Sequence, residues 1–201
     1  MTPLLALLAA YLLGAIPFGY LLVKWRTGRD VRTSGSGNIG ATNVLRTTGH
    51  VAGIATLLLD IGKGYVAVWI AECLTHGNPL WTSAAALAVM AGHAFPVFLH
   101  FQGGKAVASF VGAFLRLTPL ALLCTLVVFV AMVAWTRHIS VGSIVSAATF
   151  PLAVWLIARP PMTVLAAAVI AAAFMIYRHK ENIRRVREGS ESVFTLGSRK
   201  S

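Results

Sequence analysis

AVASFVGAFLRLTPLALLCTLVVFVAMVAW, residues 106–135, reads either as one long apolar helix or as two. Arg116 is its only charge, and Thr118-Pro119 its only interruption. Proline suits the first turn of a helix and breaks an interior, because it lacks an N–H and its ring clashes with the preceding turn. A crossing needs about 20 apolar residues, so the stretch is long for one span and short for two. The choice sets the side of the membrane on which everything downstream lies.

Further apolar runs cover 4–23, 51–74, 80–99, 141–158 and 162–177. With 106–117 and 119–135 counted separately, the chain has seven candidate spans. Charge decides between the readings. With seven spans, Lys24, Arg26, Arg29, Arg32, Arg46, Lys105, Arg137 and the basic residues from Arg178 to Lys200 share one side, and only Arg116 and Arg159 lie opposite. Merging the two runs exports Arg137 and the whole basic tail, against the positive-inside rule. The sequence therefore predicts an all-α integral membrane protein with seven transmembrane helices, N-terminus outside and C-terminus cytoplasmic. It reads as a single membrane domain over 1–201, with 188–201 a flexible tail. The first run has no basic n-region and is longer than a signal-peptide core of about 7–15 residues, so it reads as a retained span.

Composition agrees. The chain is 57% hydrophobic and 11% charged, against about 25% charged in soluble domains, and its mean hydropathy is +0.77. The net charge of +11 would suggest nucleic acid in a soluble protein; here loop topology and anionic lipid account for it, and no nucleic-acid partner is expected. Cys73 and Cys124 fit no metal spacing and read as packing residues.

The polar groups converge on the cytoplasmic side. Residues 34–46, SGSGNIGATNVLR, combine glycines with hydroxyls, amides and Arg46. Small residues let backbone N–H groups approach an anion, and a guanidinium forks onto two phosphate oxygens. Gly37 and Gly40 are the candidate backbone donors, with Ser36, Asn38, Thr42 and Arg46 as side-chain ligands. In FQGGKA, 101–106, Gly103, Gly104 and Lys105 precede a helix, where an N-terminus favours anions. Ser140 and Ser143 lie beside Arg137. His179 and Asn182, three apart in RHKEN at 178–182, share one helix face at the membrane edge. Asp60 and Lys63, three apart within a span, read as an internal ion pair, since charges in a bilayer pair or line a cavity; a direct role in drawing anions stays open. The H-x-x-x-x-D pattern is absent: five residues after each His stand Ala55, Trp81, Phe98, Lys105, Ser143 and Arg184. Acidic residues are too sparse for a carboxylate-held metal site, so no metal and no cofactor are expected.

GSGNIGATNVLR at 35–46, LDIGKG at 59–64, GHAFPVFLHFQGGKAVA at 92–108, SVGS at 140–143 and YRHKENIRR at 177–185, in this order, resemble the bacterial glycerol-3-phosphate acyltransferases that use acyl-phosphate, the PlsY family. The resemblance spans almost the whole chain. It implies a seven-helix membrane fold in the bacterial cytoplasmic (inner) membrane with the site facing the cytoplasm. It also implies transfer of an acyl group from acyl-phosphate to the 1-hydroxyl of glycerol 3-phosphate, with lysophosphatidic acid and phosphate as products. Ser36, Thr42, Arg46, Gly103, Gly104, Lys105, Ser143, His179 and Asn182 would line the site, with either His179 or a substrate phosphate oxygen accepting the hydroxyl proton. Partners would be the two substrates and membrane lipids. A transporter for phosphate or a phosphate ester is the alternative; it would need a polar path near the midplane, where only Asp60 and Lys63 are charged.

Overall fold

The computed structural model describes residues 1–194. The chain is helical: α1 Thr2–Ala15, α2 Phe18–Thr27, α3 Ala41–Thr48, α4 His50–Leu74, α5 Pro79–Ala94, α6 Val107–Leu117, α7 Pro119–Thr136, α8 Ile139–Ala153, α9 Met162–Arg178 and α10 Lys180–Arg187. The ambiguous stretch is two helices. Thr118 caps the end of α6 and Pro119 opens α7 at a first-turn position, where the missing N–H is harmless.

Five helical segments are long and apolar enough to cross a membrane: Thr2–Thr27, His50–Leu74, Pro79–Leu99, Pro119–Thr136 and Ile139–Ala158. The α9–α10 pair qualifies together but bends by 53°, and α6 is an apolar helix of 11 residues. The expected first span is interrupted at Ile16-Pro17, between α1 and α2. Pro151 inside α8 removes an amide, and the chain continues as a wider π turn, Val154–Ala158.

Lipid tails are as apolar as leucine, so the helices associate by close approach rather than by hydrophobic exclusion. Glycine makes this possible at two crossings. A Cβ on Gly14 or Gly92 would run into the backbone of Val89 or Tyr11 where α1 meets α5, and one on Gly64 or Gly112 would strike the carbonyls of Ser109 or Ile61 where α4 meets α6. Phe110, Phe114 and Phe150 stack with ring centroids 4.8 Å apart and lock α6 to α8. Large apolar side chains such as Leu58, Trp69, Leu120, Val127, Trp155 and Ile170 face outward, the arrangement expected of a protein whose surroundings are lipid.

The buried ion pair forms as expected. Lys63 Nζ lies 2.8 Å from Asp60 Oδ1 and also donates to Ile16 O at 3.0 Å. Lys63 thus satisfies a carbonyl released where Pro17 breaks the first helix, and Asp60 in turn faces His93 Nδ1 at 3.6 Å.

Candidate active site

Asn43 organises the first loop. Its buried amide donates to Asn38 O at 2.8 Å, Ser34 O at 3.1 Å and Val31 O at 3.3 Å, and its Oδ1 accepts from Ser36 N at 2.9 Å. Gly37 N donates to Ser34 O at 3.1 Å, and Gly40 N to Asn38 Oδ1 at 2.8 Å. The expectation that the Gly37 and Gly40 amides are free for an anion is therefore corrected: both hold the loop's own shape. Asn38 gives its Oδ1 and O to the loop, while its Nδ2 has no hydrogen-bond partner among the described residues. The side chains of Ser36, Thr42 and Arg46 remain available, and Arg46 is exposed without a hydrogen-bond or ion-pair partner among the described residues.

The second loop folds back under α5. Gly103 N donates to Ala94 O at 3.2 Å and Gly104 N to His93 O at 3.1 Å. Neither glycine has room for a Cβ: Gly103 lies against the His93 carbonyl, and Gly104 against the His93 ring. Their amides too are committed, which corrects the expected phosphate-binding role of the Gly103 and Gly104 backbone. The glycines let the turn pack tightly enough to aim Lys105 and the start of α6, whose first N–H groups have no partner within the helix. Ala106, fully buried, takes the left-handed conformation with φ +61° at that start, a geometry that costs a non-glycine residue about 1–2 kcal/mol.

Lys105 and the α9–α10 corner meet. Lys105 Nζ donates to Asn182 Oδ1. Asn182 is buried, and its Nδ2 donates to Glu191 Oε1 at 2.7 Å. Ser140 Oγ donates to the same oxygen at 2.7 Å, and Arg185 Nε donates to Glu191 Oε2 at 2.7 Å. Ser143 Oγ donates to Ile139 O at 2.9 Å, so its donor serves its own helix. His179 Nδ1 lies 2.7 Å from Met175 O. A carbonyl oxygen can only accept, so Nδ1 carries the proton and Nε2 keeps its lone pair.

Burial draws the Lys105 pKa down to about 8; Glu191 opposes the shift, and Arg185, Arg46 and Arg178 add to it. Burial, reinforced by Lys105, draws His179 down to about 4. The Glu191 carboxyl is held below its ordinary range: burial works against its charge, but the Ser140, Asn182 and Arg185 hydrogen bonds outweigh burial. Arg46, Arg178 and Arg185 are thus near enough to Lys105 to act on its charge, and Asn182 touches it. Ser36, Asn38 and Thr42 lie on the first loop and the start of α3, without direct hydrogen bonds to Lys105, His179 or Asn182 among the described residues. Those residues also contain no group of three or more His, Cys, Asp or Glu arranged to hold a metal ion.

Glu191 and Arg178 were not anticipated. The tail was expected to be flexible from 188. Instead Glu191 is clamped by three donors, His138 Nδ1 lies 3.2 Å from Ser192 O, and Phe194 N donates to Arg137 O at 2.7 Å. The rest of that expectation, 195–201, lies outside the described residues. Nothing in the sequence separates Glu191 from Glu181 and Glu188 in the same tail. Arg178 turns inward onto the second loop.

Residues 4–189 match the profile of the family described as glycerol-3-phosphate acyltransferase. This chain belongs to that family. A glycerol-3-phosphate acyltransferase of Geobacter sulfurreducens is 50% identical over 185 residues, covering 92% of this chain and 94% of the relative. One from Desulforamulus reducens is 41% identical over 201 residues, covering 100% and 98%. The glycerol 3-phosphate form of PlsY (YgiH), a crystal structure of an integral membrane glycerol 3-phosphate acyltransferase, superposes with a TM-score of 0.92 at 37% identity, covering 97% of this chain and 96% of that one. The lysophosphatidic acid form of that enzyme gives 0.88 at 35% identity, with the same coverage. The chain therefore has the fold of an integral membrane glycerol 3-phosphate acyltransferase.

Proposed function

We propose that the protein transfers a fatty acyl group from acyl-phosphate to the 1-hydroxyl of sn-glycerol 3-phosphate, releasing lysophosphatidic acid and inorganic phosphate. The single observation that carries this reading is the hydrogen bond from Lys105 to Asn182, close enough to Arg46 for its charge to act on Lys105. It joins segments 77 positions apart in the chain into one cationic site.

The 1-hydroxyl oxygen attacks the acyl carbonyl carbon, the bond from that carbon to the bridging phosphate oxygen breaks, and the electron pair leaves with phosphate. Lys105 and Arg46 hold the phosphates and balance the charge that develops on the leaving group. Ser36 and Thr42 offer hydroxyls to phosphate oxygens; Ser143, whose proton is held by Ile139 O, has only oxygen lone pairs left for a substrate hydroxyl; and Asn182, aligned by Lys105 and Glu191, positions the acceptor. His179 presents Nε2 as a hydrogen-bond acceptor to the 2-hydroxyl of glycerol 3-phosphate, which leaves the proton of the attacking 1-hydroxyl free to pass to a phosphate oxygen. With its pKa at about 4 it is a poorer proton sink than a phosphate oxygen with a second pKa near 6. Two pKa units correspond to about 2.7 kcal/mol in favour of the phosphate, so the proton passes to the departing phosphate and His179 orients.

Counting α6 and α9 as crossings gives seven spans, N-terminus outside and C-terminus inside, in the bacterial inner membrane with the site towards the cytoplasm. The distribution of Lys and Arg supports this orientation. α6 is about 16 Å long at 1.5 Å per residue, roughly half the hydrocarbon thickness, so a site at its start is recessed where the headgroup of a lipid-borne acyl-phosphate can meet a water-borne acceptor. The acyl chain then lies among the outward apolar faces, and the surrounding lipids complete the site. Transport is disfavoured, because Asp60 and Lys63 neutralise each other and Lys63 also satisfies Ile16 O, leaving no free charge for a midplane path. Purified protein given acyl-phosphate and labelled glycerol 3-phosphate, without added metal, should release phosphate and form one labelled lipid. Silence in that assay, with uptake of glycerol 3-phosphate by proteoliposomes, would overturn the proposal.

A further inference from the structure

We propose that Arg178 is a positioning residue, a clamp that fixes the second loop against the end of α9 and so sets Lys105 at its working distance from His179 and Asn182. The inference rests on the reading of Lys105, His179 and Asn182 as the acyl-transfer site, and goes beyond it by assigning a residue that touches no substrate.

Arg178 Nη2 donates to Gly104 O at 2.9 Å and to Gly103 O at 3.3 Å, and Nε donates to Gly104 O at 3.2 Å. Its guanidinium lies over the Phe95 ring, 5.0 Å from the centroid, and Phe95 packs edge-on against Phe174 of α9, with centroids 6.0 Å apart. The fork is therefore held from both sides. The amides of the same two glycines are tied by Gly103 N to Ala94 O and Gly104 N to His93 O. The turn is gripped by α5 through its amides and by α9 through its carbonyls. Lys105 directly follows Gly104, and His179 directly follows Arg178. A planar, multi-donor guanidinium does this and an ammonium does not, because only the fork spans two successive carbonyls. The charge fits as well: carbonyl oxygens attract a cation that would otherwise add to the repulsion among Lys105, Arg46 and Arg185.

R178Q and R178K are compared with wild type, each monodisperse in detergent. Without substrate, hydrogen exchange at the Gly103 and Gly104 amides should accelerate at least tenfold in R178Q, while amides in α1, α4 and α5 stay within twofold. With substrates, KM for glycerol 3-phosphate should rise at least tenfold, with a smaller change in kcat. R178K, with one point donor, should recover less than half of the lost kcat/KM. If R178Q does not fold, R178K alone should show the same pattern at smaller amplitude. Unchanged exchange at Gly103 and Gly104 overturns the clamp whether or not the protein is an acyltransferase. Accelerated exchange with unchanged KM and kcat overturns the positioning role. A wild-type protein that does not acylate glycerol 3-phosphate, yet shows the exchange change, overturns the proposed function and leaves the clamp standing.

Discussion

Replacing His179 by Gln separates a proton acceptor from a hydrogen-bond acceptor, and the structure supplies the numbers. His179 is 3% exposed, donates from Nδ1 to Met175 O at 2.7 Å, and has its pKa drawn down to about 4 by burial and then by Lys105. Both substrates carry phosphates that titrate near pH 6, so a wild-type pH profile alone mixes several groups. The ratio of wild-type to H179Q kcat/KM cancels the substrates. With a pKa of about 4, His179 is about 97% neutral at pH 5.5, and the ratio stays flat from pH 8.5 to 5.5; at an ordinary 6.5 it would be about 9% neutral, and the ratio would fall about elevenfold. H179Q should keep a measurable rate, reduced by roughly 10- to 100-fold for a lost orienting contact, about 1.4–2.7 kcal/mol. Stability supplies a second reading. A folded pKa below the unfolded one means that the unfolded chain binds the extra proton. Stability is then full above pH 6.5 and falls as pH drops towards 4, by about 3 kcal/mol from this residue at most. Thermal unfolding in detergent should show that loss in wild type and a smaller one in H179Q. An elevenfold fall in the activity ratio by pH 5.5 would refute a buried neutral His179 and restore it as the general base.

Three further outcomes follow from the same site. Lys105, at about 8, loses its charge as pH rises, so kcat/KM for glycerol 3-phosphate should fall about fivefold between pH 8 and pH 9; K105R stays charged and its profile should be flat there, at a lower plateau. Glu191 raises the Lys105 pKa, so E191Q should move that alkaline limb to lower pH, measured as the midpoint of the same profile. N43A removes four hydrogen bonds from a buried hub; with about 1–3 kcal/mol for each buried group left unpaired, it should lower the melting temperature strongly, and N43D should not restore it, since a carboxylate cannot donate to the Val31, Ser34 and Asn38 carbonyls.

The architecture was legible because its causes are local. Runs of apolar residues with Thr118-Pro119 between two of them predict separate helices, and Asp60 with Lys63 one turn apart predicts a pair; both follow from neighbours in sequence. The meeting of Lys105 with Asn182 was legible for a related reason, since both flank apolar runs whose register carries them to one end. The backbone was misjudged for a physical reason. A glycine-rich loop looks the same in sequence whether its amides face a ligand or the loop itself, and the difference is decided by their partners: Ser34 O for Gly37, Asn38 Oδ1 for Gly40, and the end of α5 for Gly103 and Gly104. Arg178 and Glu191 hide in the same way. Each binds groups that composition cannot display, two carbonyls 74 and 75 positions away and a serine 51 positions away. Because Arg178 bonds to main-chain atoms, the glycines it grips need no particular side chain to be recognised. Their smallness answers to His93 and Pro96 packed against them. A loop that resembles a phosphate cradle thus acts as a rigid mount for one lysine, and the phosphate is left to charged side chains and the first amides of α6. On that division of labour, alanine at Gly104 should harm the enzyme by displacing the His93 ring and tilting Lys105, and shortening residue 93 with H93A should recover part of the activity lost in G104A. No recovery in the double variant, with both proteins folded, would return the Gly104 amide to the phosphate.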